Sequence, residues 1–196
     1  LSAPPRVWNS MRKRMVLALA GISLLLGSSP DYLSARRKFD QIEQERLRAG
    51  THVVLTAREL NAYAQQAVRE TVPEGVRDPK LALGPNSVTA TAWVDFAKVQ
   101  QSQGNPPGWL MSQLLSGERP VEVMAHIRSG GGQATVDLDS VQISGVTIQG
   151  PVLDYLIRNY VLPRVPDAKI GQPFALGHRI ERIQVQPTQV DVSIGR

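Results

Sequence analysis

The chain of 196 residues contains no cysteine, so neither disulfides nor thiolate metal sites are open to it. Its three histidines, His52, His126 and His178, stand far apart, and none belongs to a two-histidine ligand spacing such as His-x-x-x-His. Aromatic residues make up 5% of the chain and do not interleave with basic ones, as single-strand nucleic-acid binders require. There is no Gly-x-Ser-x-Gly elbow, no phosphate-cradling glycine loop and no dinucleotide fingerprint. Gly130-Gly131-Gly132 joins strand to strand instead of strand to helix. These absences lead to the expectation of a non-enzyme with no metal and no cofactor.

Charge narrows the field further. The formal net charge is +5, which invites a nucleic-acid partner. Four of the 22 basic residues, Arg6, Arg12, Lys13 and Arg14, precede Ser29 with no acidic residue among them, which leaves 18 against 17 acidic ones in the rest. The basicity belongs to the N-terminus, and no nucleic-acid partner is expected.

Arg12-Lys13-Arg14 stand ahead of an apolar run from Met15 to Leu26, which Gly27-Ser28-Ser29-Pro30 ends. A basic n-region, a short h-region and small residues after it are the layout of an export signal, and the run falls short of the roughly 20 residues that span a bilayer comfortably. Residues 1–30 are therefore expected to be an export signal or an uncleaved anchor, with Met11 as the translation start. The expected location is the periplasm, free or held at the inner membrane. No cysteine follows the run to accept a lipid.

Residues 31–50 are highly charged, with Tyr32, Leu33, Phe39, Ile42 and Leu47 at loosely helical spacing and Gly50 placed to stop them. They read as a charged stalk helix, either laid on the domain or offered to a membrane surface or partner. A single domain is expected over 51–196, with a loop insertion at 100–119.

Within that domain Val53-Val54-Leu55 leads into Thr56-Ala57-Arg58-Glu59, a capping box that starts a helix to about Thr71. Leu60, Tyr63, Ala64, Ala67 and Val68 share one face of it. A second helix, from Pro151 to about Leu162, presents Leu153, Leu156, Ile157 and Tyr160. The two units are faintly alike. At an offset of 93 residues, six of the 32 positions from Val53 to Gly84 are identical, against roughly two expected by chance, which points to pseudo-duplicated halves.

The rest alternates with period two. Val88, Ala90, Ala92, Val94 and Phe96 form one face of an expected strand from Ser87 to Val99, roughly 40 Å long. Val121, Val123, Ala125 and Ile127 precede a glycine turn into Ala134, Val136 and Leu138, an antiparallel hairpin. The apolar phase then slips twice, near Asp139-Ser140 and near Ser144-Gly145, and each slip is read as a β-bulge. Asp137 and Asp139, though they share a face, belong to the outward side. A last hairpin turns at Pro187-Thr188. The expected fold class is α+β, a strongly curved antiparallel sheet of long bulged strands packed on two helices.

Trp109, Leu110 and Met111 lie in the insertion, either as a membrane-dipping tip or lid or as a loop tucked under the core. Small residues on the concave face leave room for the helices or for a ligand.

An apolar export segment followed by Val54-Leu55-Thr56-Ala57-Arg58-Glu59-Leu60-Asn61 and long antiparallel strands resembles bacterial envelope proteins of the TULIP-like class, which also includes SMP-like domains. The resemblance covers residues 51–196 in outline. It implies a bent sheet wrapped on helix that holds a lipid or another apolar molecule in its groove. The expected ligand-lining set is Leu60, Tyr63 and Ala67 on the first helix, Val88 to Phe96 and Val123 to Ile127 at alternate positions on the sheet, and Leu153, Leu156, Ile157 and Tyr160 on the second helix. An envelope interaction module with a dry core is the alternative.

Overall fold

The computed structural model of the chain describes residues 29–71, 75–101, 117–158 and 170–196. Ser29 opens the first helix, α1 (Pro30–Glu43): its hydroxyl accepts from the Tyr32 N–H at 3.2 Å, and Pro30 sits where a missing N–H does no harm. Charge hides an apolar stripe on this helix. Tyr32, Ala35 and Ile42 are buried, Ala35 completely, and Phe39 packs with them. The helix ends earlier than Gly50, at Glu43, and is laid on the domain.

It lies against β1 (His52–Thr56) and α2 (Ala57–Thr71). The Leu55–Asn61 stretch accounts for the joint residue by residue. Leu55 is buried, while the Thr56 N–H donates to Glu59 at 2.8 Å and the Glu59 N–H to the Thr56 hydroxyl at 3.2 Å. Glu59 also receives the Lys38 ammonium of α1 at 2.6 and 2.8 Å, and the same ammonium reaches the Val54 carbonyl at 2.7 Å. Asn61 accepts from the Leu81 N–H and donates to the Leu81 carbonyl, both at 2.8 Å. A side chain thus occupies the hydrogen-bonding groups that an edge strand would otherwise leave open.

Two antiparallel sheets follow. The larger is built from β2 (Val76–Gly84), β3 (Ser87–Asp95), β4 (Glu118–Gly130), β5 (Gln133–Ile143) and β6 (Val146–Thr147) in that spatial order. A short β7 (Phe174–Ala175) pairs with the start of β5. The smaller sheet runs β1, β9 (Gln189–Ile194), β8 (Ile180–Gln186). The sheets are joined where the Ser129 hydroxyl donates to the Ile183 carbonyl at 2.6 Å and accepts from the Ile183 N–H at 2.7 Å. The Asn86 N–H also donates to Val185. The fold is α+β, its curved sheet not closed into a barrel.

The phase slip at Asp139 is a bulge. Met124 pairs with Ser140 and Ala125 with Leu138, so Asp139 is the extra residue. The slip at Ser144-Gly145 is a turn instead. Both residues have positive φ, 52° and 78°, and Ile143 pairs with Val146 across them. The strand from Ser87 also stops short of Val99. It ends at Asp95, whose carboxylate accepts from the Lys98 N–H at 3.1 Å and starts α3 (Phe96–Gln101). Phe96 is therefore a helix residue.

The last helix, α4 (Gly150–Leu156), follows β6 as α2 follows β1, and β3 and β8 begin 93 residues apart. The halves differ in burial, with Val53 at 7% exposure and its counterpart Val146 at 63%. Among the described residues no helix is long and apolar enough to cross a membrane.

Candidate functional site

The inner face of the larger sheet carries two unlike regions. At one end Leu83, Val88 and Ile127 join Leu60, Tyr63 and Phe39 around a core of Val53, Leu55, Val185, Val190, Val192 and Ile194. Tyr63 is stacked on Tyr32 at 6.0 Å and packed on Phe39 at 4.5 Å between ring centres. Leu60, Tyr63, Val88 and Ile127, expected to touch a ligand, instead meet one another and α1. Helix α1 fills the space that a solvated stalk would have left empty.

At the other end the described residues leave a space against the sheet face. A cavity of about 430 Å³ has Val94 of β3, Val121 and Val123 of β4, and Leu138, Val141 and Ile143 of β5 along the sheet. Phe96 and Val99 of α3, Leu153 and Leu156 of α4 with Ile157 beyond it, Val76 and Ile170 complete its described lining. Every one of these residues is apolar. The volume falls in the range of roughly 300–1,000 Å³ typical of small-molecule sites. The bulge at Asp139 makes this possible, because strict alternation would turn Val141 and Ile143 away from the face that Leu138 occupies. Asp95 contributes from the side by starting α3 and so bringing Phe96 and Val99 onto the cavity.

Six of the expected lining residues meet here: Val94, Phe96, Val123, Leu153, Leu156 and Ile157. Ala67, Ala90 and Ala125 are half-buried and do not line it. Ala92 instead lines a second trough of about 710 Å³, of mixed polar and apolar lining, that shares Val76 and Val121 with the apolar cavity. Tyr160, Trp109, Leu110 and Met111 lie outside the described residues. The cavity also takes Val76, Val99, Val121, Leu138, Val141, Ile143 and Ile170, which the expected set omits. Val121, Val141 and Ile143 were signalled by alternation, whereas Val76 and Ile170 stand singly among polar neighbours.

The trough has a charged rim. Arg77 donates to Glu118 at 2.7 and 2.9 Å and to Asp78 at 2.7 Å, and its guanidinium lies 5.2 Å from the centre of the Trp93 ring. The hydrogen bond from Arg77 holds the Glu118 carboxyl below its ordinary range. Asp78 has φ 52° in a bulge where Asp78 and Pro79 oppose Ala92.

Each histidine faces one carboxylate. His126 Nδ1 pairs with Asp139, His52 Nδ1 lies 2.8 Å from Asp191, and His178 Nδ1 lies 4.0 Å from Glu45. Asp137 pairs with Arg128 at 2.7 Å, so each of the two outward aspartates has a partner side chain on β4. Ser193 Oγ approaches His52 at 3.5 Å, but it does so at the same ring nitrogen that Asp191 holds. A nucleophile and base need the hydroxyl on one nitrogen and the carboxylate on the other. Among the described residues no group of three or more carboxylates and histidines is placed to hold a metal ion. The chain matches no protein-family model and no curated protein.

Proposed function

We propose that this chain is an exported cell-envelope protein that holds a lipid or another apolar ligand against its curved sheet, without covalent chemistry. The observation that carries the reading is the 430 Å³ cavity, whose described lining is apolar throughout. Export rests on Arg12-Lys13-Arg14 ahead of the apolar run from Met15 to Leu26, and a periplasmic or inner-membrane-anchored location follows from it. The resemblance of the Leu55–Asn61 stretch to TULIP-like envelope proteins supports the same reading.

Binding would come from removing methylene groups from water, at about 0.8 kcal/mol or roughly fourfold in Kd for each. Calorimetric titration with straight-chain alcohols from hexanol to tetradecanol tests this. Affinity should rise about fourfold per carbon until the cavity is filled, then level off. Val123→Phe should abolish the binding while leaving the unfolding midpoint nearly unchanged. If no alcohol binds and the same substitution destabilises the fold by about 1–3 kcal/mol, as overpacking a full core does, the dry interaction module replaces this reading.

A further inference from the structure

One cation on the inner face of the sheet has no counter-charge among the described residues. Arg119 pairs with Val94 across the β3–β4 ladder and stands two residues before Val121 on the same face of β4. Val94 and Val121 both line the apolar cavity, so the Arg119 stem begins at its edge. Its Nε is shut off from solvent and has no hydrogen-bond partner among the described residues.

The carboxylates on the next rung are committed elsewhere. Asp95, opposite Glu118, caps α3 through the Lys98 N–H and lies 3.6 Å from the Lys98 ammonium. Glu118 is held by Arg77 on the other face of the sheet. A guanidinium stays charged at any physiological pH, and a sheltered donor with no acceptor is unfavourable unless something supplies one. Carboxylate and phosphate groups match its fork of donors.

We infer that Arg119 anchors the acidic head group, carboxylate or phosphate, of a single-chain amphiphile whose tail fills the apolar cavity. The inference rests on the apolar-ligand reading and adds to it the class of ligand and the residue that selects it. The tail supplies affinity through burial, and Arg119 supplies the preference for a negative head over a neutral or cationic one. Replacing the arginine removes no hydrogen bond from its Nε to any described residue. Arg119→Gln should therefore fold and melt like the parent protein.

The test is calorimetric titration of the full chain and of Arg119→Gln and Arg119→Lys. The probes are decanoate, decyl phosphate, decanol, decyltrimethylammonium and inorganic phosphate, all below micelle-forming concentrations. The parent protein should bind decanoate or decyl phosphate about 10- to 100-fold more tightly than decanol, the range expected for a hydrogen bond to a charged group. Arg119→Gln should bring the anions down to the decanol affinity with decanol itself unchanged, and Arg119→Lys should keep part of the preference. Equal binding of decanol and the anions by the parent protein overturns the assignment to Arg119 and leaves the apolar-ligand reading standing. Equal weakening of every probe by Arg119→Gln also overturns it. Inorganic phosphate that binds as tightly as decyl phosphate, in an Arg119-dependent way, overturns the amphiphile in favour of a free anion. Failure of decanol and all its charged analogues to bind overturns both readings.

Discussion

Glu59 shows how much one side chain can connect. It closes the capping box of α2, holds Lys38 of α1 and sits 5% exposed in the joint between the two helices. Burial pushes its carboxyl upward, but the Lys38 ammonium and hydrogen bonds from Ser34 and the Thr56 backbone outweigh that and bring the pKa from 4.5 down to about 2. A carboxylate whose folded pKa lies below its unfolded value stabilises the fold fully above the unfolded pKa. That contribution fades as the pH falls through the folded one. The shift corresponds to about 3 kcal/mol, present at neutral pH and lost between about pH 5 and pH 2. Urea midpoints measured across that range should fall with acidification in the parent protein. Glu59→Gln should begin lower by a comparable amount at neutral pH and show a flatter acid limb; an unchanged limb would remove Glu59 as its cause.

Strand β5 carries the register on which the site depends. The extra residue at Asp139 lets Leu138 and Val141 line the same cavity, and His126 on β4 pairs with the Asp139 side chain. Deleting Asp139 should remove the bulge and leave Leu138, Val141 and Ile143 in plain alternation on the inner face, because Ser140 alone then separates Leu138 from Val141. That deletion and Asp139→Ala should each cost about 1 kcal/mol or less, whereas deleting Gln142 sets Val141 and Ile143 side by side, turns Ile143, now 8% exposed, outward and should cost roughly 1.5–3 kcal/mol. Denaturant unfolding of the three variants separates these outcomes, and a loss from the Gln142 deletion no greater than from the other two would show that register is not what matters here. This bulge was legible in the sequence because the apolar phase slips at that point. The same slip at Ser144-Gly145 was ambiguous in principle, since a two-residue turn and a one-residue bulge both shift the parity of inward positions. The end of β3 was hidden for a similar reason: Phe96 continues the alternation of Val94, and only the Asp95 cap shows that the backbone has become helical.

At the scale of the whole molecule, one sheet serves two purposes. One end is closed by α1 and α2 into a packed core, and the other keeps an apolar cavity against α3 and α4. The two helices, the hairpins and the curved antiparallel sheet could be read from capping, turn chemistry and period-two alternation. The division of the inner face between core and cavity could not, because it depends on where α1 lies. The apolar stripe of Tyr32, Ala35, Phe39 and Ile42 is masked by Asp31, Arg36, Arg37, Lys38 and Asp40, so a core-covering helix looks like a solvated one. That is why Leu60, Tyr63, Val88 and Ile127 appeared as ligand contacts. The central claim is that the open end holds an apolar ligand, and native mass spectrometry of the protein from a membrane-containing host tests it most directly. The account predicts a reproducible adduct with the mass of an acyl-chain molecule, recovered by organic extraction and absent from Val123→Phe. A bare protein mass that stays bare after incubation with envelope lipids would contradict it.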